Sequence, residues 1–331
     1  MTNILAVDIG YSSTKIAYGA RGTPANEFST LIFPSIAAPT TRVAQSIGAR
    51  ENSADDIKIW YEGTEYSACI RPEYTRSVRA VHEDYYLEDT YQVLYRAALH
   101  LTGEDEISCV VTGLPVTQAQ DTRRVNRLRD LMMGEIQTTK GRVVKVNDVK
   151  VVPQPVGAYL EMIAEWDGSR EILHGNIIVI DPGYFSVDWL AIKNARVQWD
   201  ASGTSLAAVS KVLKDASDLL TQSTGGWVDP ETIESALRDG EERILSMGQP
   251  QPFKQPLLEA SKFHAKEAVR SVRTALREQR AEPGIIVMAG GGAKIYRQSV
   301  EESFPDWRIW TGRYPAVSNV RGFWLLQNGN N

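Results

Sequence analysis

Cysteine is nearly absent from this 331-residue sequence, with Cys69 and Cys109 far apart and outside any motif. That excludes a four-ligand zinc site and a CxxC redox pair, and it favours a reduced, cytoplasmic chain. Histidine is scarce too, and His82, His100, His174 and His264 have no metal-ligand spacing. No apolar run approaches the ~18 residues of a membrane span. The first residues, Met-Thr-Asn-Ile-Leu-Ala-Val-Asp, lack a basic stretch and a cleavage site and read as a strand, not a signal peptide. Positive charge is not in excess either. Against 36 Lys and Arg stand 41 Asp and Glu, a net charge of −5, so no global basic balance recruits nucleic acid or an anionic membrane.

Familiar chemical signatures are missing as well. There is no GxxxxGK[ST] phosphate loop and no GxSxG nucleophile elbow. Gly290-Gly291-Gly292 lacks the third spaced glycine of a dinucleotide fingerprint. Ser12-Ser13-Thr14-Lys15 fits S-x-x-K, but no Ser-Asp-Asn or Lys-Thr-Gly accompanies it, which argues against a penicillin-binding enzyme.

What remains is a folded chain of about two domains, since domains run ~100–200 residues and hydrophobic residues make up 43% here. Strands are expected over 3–9 and 15–18, then a small irregular α/β insertion over 30–85, a helix over 88–102 and a buried strand over 107–113. A helix over 118–133 carries Arg123, Arg124, Arg127 and Arg129 on one face. That face reads as solvated, with a partner or DNA phosphate as the alternative. Strands follow over 176–181 and 187–192. Helices are expected over 204–220, 229–240 and 256–281, with a linker at 246–256 rich in Pro, Gln and Gly. A strand over 284–289 runs into the glycine triplet, and helices begin at 293 and 318.

The middle of the chain repeats its opening. Val7-Asp8-Ile9-Gly10-Tyr11-Ser12-Ser13-Thr14-Lys15 and Ile180-Asp181-Pro182-Gly183-Tyr184-Phe185-Ser186-Val187-Asp188 share a strand–turn–strand frame 173 positions apart. A repeat of that period means duplicated domains. Two such hairpins facing each other across a cleft make a clamp for a nucleotide tail. Gly10 and Gly183 allow tight turns and close backbone approach. Backbone amides with the hydroxyls of Ser12, Ser13, Thr14 and Ser186 bind phosphate oxygens, and Lys15 adds a cationic contact. Asp8 and Asp181 repel phosphate unless a cation intervenes, which points to Mg²⁺. Gly290, Gly291 and Gly292, between a strand and a helix, let adenosine and α-phosphate approach the backbone.

In this order the motifs resemble the actin, Hsp70 and sugar-kinase superfamily of ATPases. Asp8–Lys15 looks like its phosphate 1 loop and Asp181–Asp188 like phosphate 2. Val110–Val116 and Val317–Phe323 resemble the two connecting segments, Val151–Tyr159 the water-positioning segment, and Val287–Ala293 the adenosine motif. Length and motif style are similar to the ParM/StbA branch of plasmid segregation proteins. The resemblance implies an α/β fold of two duplicated ribonuclease H-like domains around a nucleotide cleft. Domain I is expected over 1–160 plus 308–331 and domain II over 161–307, with small outer subdomains at 30–85 and 212–265 where filament contacts lie. It implies binding of ATP and Mg²⁺, hydrolysis, and polymerisation with copies of itself. DNA would be reached through a DNA-binding adaptor protein rather than directly, and no membrane contact is implied. In this carry-over Asp8 and Asp181 hold Mg²⁺ mainly through water, Asp181 also faces the attacking water, and Lys15 touches the β- and γ-phosphates. Tyr11 and Tyr184 fall in the two phosphate loops. Gln154 stands where the family positions the attacking water. The ParM branch often carries Glu there, and an amide orients water but cannot act as a base. Two other readings stay open: a nucleotide-gated switch that never polymerises, and a small-molecule kinase of the same fold.

Overall fold

The computed structural model describes residues 3–24, 27–44, 57–75, 79, 82–166, 174–279 and 284–329. The chain forms two compact units, Met1–Trp166 with Gly312–Asn331, and Asp167–Thr311.

The first unit holds β1 (Asn3–Ile9), β2 (Ser13–Ala20), β3 (Ser29–Pro34), β4 (Ala37–Pro39), β5 (Ile57–Tyr61), β6 (Thr64–Ala68), α1 (Asp89–Leu101), β7 (Glu106–Ile107), β8 (Cys109–Leu114), α2 (Val116–Ala119), α3 (Thr122–Met132), β9 (Gly134–Thr139), β10 (Arg142–Val146), β11 (Val149–Pro153) and α4 (Pro155–Glu165). Its main sheet runs β11-β8-β1-β2-β3, with β11, β8 and β1 parallel and β2 and β3 antiparallel. The period of two along β1 sorts its side chains. Leu5, Val7 and Ile9 pack with Val93, Leu94 and Ala97 of α1. Ile4 and Ala6 pack with Val320, Phe323 and Trp324 near the C-terminus. Asp8 therefore falls on the C-terminal helix's side of the sheet, at the end of a strand whose apolar neighbours fix its register.

The second unit holds β12 (Asn176–Pro182), β13 (Val187–Lys193), β14 (Arg196–Val197), β15 (Gly203–Ser205), α5 (Val209–Thr224), α6 (Pro230–Asp239), β16 (Arg243–Ser246), β17 (Gln249–Pro252), α7 (Lys254–Glu278), β18 (Ile285–Met288), α8 (Ala293–Ser303) and β19 (Arg308–Thr311). Its sheet order, β14-β13-β12-β18-β19, repeats the first unit's in reverse listing: β19, β18 and β12 are parallel, β13 and β14 antiparallel. Helices α5, α7 and α8 cover it with a core that includes Leu213, Val269, Val272 and Tyr296.

Helix α9 (Ser318–Asn328) then returns to the first unit. It crosses α4 backbone to backbone. A Cβ on Gly157 would run into the Asn319 carbonyl, and one on Gly322 into the Gly157 carbonyl. Beside the crossing Arg321 Nε donates to Glu161 Oε1 at 2.5 Å. Glu161 is buried, and burial holds its carboxyl above the usual range.

Several expectations are corrected. The 246–256 linker is a hairpin, because Met247 (φ 50) and Gly248 (φ 73) form a two-residue turn with both φ positive, joining β16 to β17. The helix over 118–133 is two, since Asp121 caps α3 by accepting from the Arg123 amide at 2.9 Å. The helix at 204 starts at Val209, because Gly203–Ser205 pairs with β13. The 30–85 segment contains an antiparallel β4-β6-β5 sheet, while its residues 45–56, 76–78 and 80–81 lie outside the described residues. So do residues 280 and 281 of the expected long helix. Arg308–Thr311, assigned from the sequence to the first domain, pairs with β18 in the second unit. Cys69 and Cys109 are free and buried, and burial pushes both thiols up to about 12. Among the described residues no helix is long and apolar enough to cross a membrane.

Candidate functional site

In the first unit three strands bring three polar side chains together. The β1–β2 register sets Lys15 directly opposite Asp8, and Lys15 Nζ lies 3.1 Å from Asp8 Oδ2. Gln154 follows β11, two strands away, and its Nε2 donates to Asp8 Oδ1 at 2.9 Å. To get there its side chain crosses β8 at Gly113. A Cβ on Gly113 would sit 2.7 Å from Gln154 Cγ and 2.7 Å from Phe323 Cζ. Gln154 precedes Pro155 at the head of α4 yet makes no side-chain capping bond, so its amide is free to turn to Asp8. A carboxylate only accepts, so the amide presents its NH₂ to Asp8 and its Oε1 points away. Asp8 itself is buried.

The turn is closed by the Gly10 amide donating to the Ser13 carbonyl at 3.1 Å. Ser12 and Ser13 are half-buried, their hydroxyl oxygens 3.4 Å apart. Tyr11 and Thr14 serve the hairpin's own structure. Tyr11 donates to the His82 carbonyl at 2.6 Å and stacks on Tyr85, while buried Thr14 shares a 2.9 Å hydrogen bond with Ser35.

The second unit repeats the frame. Asp181 faces Asp188 across β12 and β13, and the Gly183 amide donates to the Ser186 carbonyl at 2.8 Å. Ser186 Oγ donates to Asp188 Oδ2 and Thr204 Oγ1 to Asp188 Oδ1, each at 2.6 Å. Ser186, read from the sequence as a phosphate donor, thus has its proton engaged inside the hairpin. The carbonyls of Gly183 and Tyr184 accept the Val209 and Ser210 amides, at 3.2 and 2.9 Å, and anchor the start of α5. The glycine triplet packs on the same turn. A Cβ on Gly290 would collide with Asp181 Oδ1, and one on Gly292 would lie 2.7 Å from the Pro182 carbonyl. Gly291 alone of the three is exposed, with nothing within 4 Å of its Cβ position.

Two residues of these frames escaped the reading of the sequence. Gly113 carried a signal, since glycine inside a buried strand marks a close approach. Asp188 carried a weaker one, because its hydroxyl partner Thr204 is distant in sequence. Among the described residues no group of three or more His, Cys, Asp or Glu gathers as a metal site.

A sheet of three parallel and two antiparallel strands, made twice, with an aspartate–glycine hairpin in each copy, is the actin-like fold in two domains. Comparison with known proteins agrees. Residues 6–157 match the model of the actin-like proteins' N-terminal domain, and residues 179–302 match that of the archaeal actin homologue MreB-like C-terminal domain. Each of the two units thus matches a family model of actin-like proteins. No curated protein sequence matches it. Among solved structures it is similar to a non-polymerisable quadruple mutant of pCBH ParM, at TM-score 0.77 and 18% identity over 99% of this chain and 100% of that one. A ParM from a 15-stranded Clostridium botulinum filament superposes at TM-score 0.73 and 18% identity over 99% of both chains. The archaeal actin homologue Ta0583 in complex with ADP does so at 0.70 and 17% over 98% of both. At such identities these likenesses show the fold.

Proposed function

We propose that this chain is a cytoplasmic actin-like ATPase that binds Mg-ATP and assembles into filaments, for DNA segregation or another cytoskeletal task. The convergence of Lys15 and Gln154 on Asp8 carries the reading. Bound Mg-ATP supplies the transferable phosphoryl group and the divalent charge that neutralises it. The residues fit that group. Mg²⁺ keeps most of its waters and needs only one or two carboxylates rather than a protein cage; Asp8 of the first unit or Asp181 of the second would supply one. Lys15 holds Asp8 and offers a cation to phosphate oxygens. Gln154 has its NH₂ on Asp8, so Oε1 accepts a proton of the attacking water and orients it. Backbone amides of the two turns, with Ser12 and Ser13, take phosphate oxygens, and exposed Gly291 leaves its backbone open to the nucleotide.

Self-assembly is supported by the relatives' filaments and by an exposed apolar patch. Trp227, Leu245 and Met247 are each more than 70% exposed, and Met247 lies against Gly226. Monomeric surfaces seldom leave such groups clustered.

Phosphate release and sedimentation across a protein titration, with and without Mg-ATP, test the reading. Polymer should pellet above a threshold concentration in Mg-ATP. Asp181→Ala should abolish hydrolysis with a smaller loss of binding. Gln154→Ala should slow phosphate release about tenfold or more while polymer still forms. Absence of nucleotide-dependent polymer overturns the filament reading, and wild-type turnover by Gln154→Ala returns that residue to a structural role.

A further inference from the structure

Helix α7 of the second unit carries a line of cations on its exposed face. Lys262, Lys266, Arg270, Arg273 and Arg277 follow one another at intervals of three or four residues and are all exposed. At about 100° per residue they fall within an arc of about 80°, and no other residue between Lys262 and Arg277 enters it. At about 1.5 Å per residue the stripe runs about 22 Å. Among the described residues none of these cations has an ion-pair partner. The arginine run singled out in the sequence behaves differently. Arg123, Arg124 and Arg129 are each paired with a nearby acid. Glu267 and Glu278 flank the stripe but lie outside its arc.

We infer that this stripe binds the phosphate backbone of double-stranded nucleic acid. Five unpaired cations in a line are the electrostatic footprint of a polyanion, and 22 Å of B-form duplex axis offers about six base pairs of phosphates. The chain's negative balance of −5 makes the remaining surface more acidic and aims the stripe at such a partner. A protein partner fits less well, because interface centres are poor in lysine and rich in aromatics, and Phe263 is the large apolar side chain at the stripe's edge. An embedded amphipathic helix is excluded, because Leu257, Val269, Val272 and Leu276 on its apolar face sit in the unit's core. The contact carries no base readout.

The test is fluorescence anisotropy of the full chain with a labelled duplex of arbitrary sequence. Wild type should bind with log K falling against log salt at a slope of about −4, near −0.9 per neutralised phosphate. Lys266→Glu with Arg270→Glu and Arg273→Glu should weaken binding at least about a hundredfold at about 50 mM salt and flatten the slope. Arg123→Glu with Arg127→Glu should leave it unchanged. If charge reversal unfolds the helix by circular dichroism, glutamine at the same three positions carries the test. No binding by wild type at low salt overturns the inference, as does wild-type affinity in the triple variant. Two further outcomes also overturn it: uptake by phosphatidylserine vesicles without duplex binding, and loss of pelleting by the triple variant without duplex binding by wild type. Phosphate release measured on the same samples separates this result from the ATPase reading.

Discussion

The two hairpins share one frame and differ in what faces the aspartate. In both, the paired residues are seven apart and a glycine amide closes the turn on the carbonyl three residues later. Opposite Asp8 stands Lys15; opposite Asp181 stands Asp188. The first hairpin offsets its carboxylate within the protein, through an ammonium and the Gln154 amide. The second sets two carboxylates across from each other, an arrangement that repels, and ties Asp188 down with two hydroxyls. Duplication kept the backbone device, while the charge around it diverged. In each unit a glycine from the strand beside the aspartate clears the approach: Gly113 for Gln154, and Gly290, just past β18, for Asp181 itself.

The largest expected effect tests that last parallel. Gly290 has φ +75, and a Cβ there would meet Asp181 Oδ1 and the Pro182 carbonyl. Gly290→Ala adds backbone strain to a collision with fixed atoms, so stability measured by denaturant should fall by about 3 kcal/mol or more. Gly291→Ala, beside it but facing open space, should stay within about 0.5 kcal/mol. Equal effects would mean that the triplet is a plain loop and not a seat for the hairpin.

Next in size is Asp188→Asn. Asparagine keeps the shape but offers one acceptor oxygen, so one of the Ser186 and Thr204 hydroxyls must turn round. The expected loss is about 1–2 kcal/mol, against a relief of repulsion toward Asp181. A variant more stable than wild type would show that repulsion outweighs the hydrogen bonds.

Gly113→Ala sharpens the first unit's side of the comparison. The added methyl pushes Gln154 off its path to Asp8. Hydrolysis should fall about tenfold, or 1.4 kcal/mol in barrier, with nucleotide affinity little changed. In a Gln154→Ala background the same substitution should cost no further rate, because both act on one contact. Additive losses would reduce Gly113 to a packing residue against Phe323.

Much of this was legible in the chain itself. The apolar runs at 3–9 and 176–181 placed both central strands, and the repeated D-x-G-Y announced the duplication. The resemblance of Val151–Tyr159 to the water-positioning segment singles out Gln154, whose amide donates to Asp8. What escaped depends on contacts remote in sequence or on unusual backbone. The β16–β17 hairpin turns on Met-Gly, where Asn-Gly is the familiar signal. Tyr11 and Thr14 read as ligand-facing until His82, Tyr85 and Ser35 claim them. Net charge argued against nucleic acid for the surface as a whole, a sum that cannot register five cations aligned on one helix.

The smallest effect separates the two turns themselves. Neither Gly10 nor Gly183 has a positive φ, so each is glycine for space alone. A Cβ on Gly10 would lie 3.2 Å from the Ser13 carbonyl oxygen and 3.4 Å from Lys15 Nζ, the latter at the end of a flexible side chain. On Gly183 it would lie 3.0 Å from the Ser186 carbonyl oxygen, which the turn's own hydrogen bond fixes. Gly10→Ala should therefore cost about 0.5 kcal/mol and Gly183→Ala about 1 kcal/mol. Gly10→Ala should also loosen Lys15 from Asp8 and weaken nucleotide binding about threefold, a loss with no counterpart in the second hairpin, where no lysine stands. Isothermal titration with ADP on both variants decides the matter. A matching loss in Gly183→Ala would show that the turns act alike, and that Lys15 adds nothing the repeated backbone does not already supply.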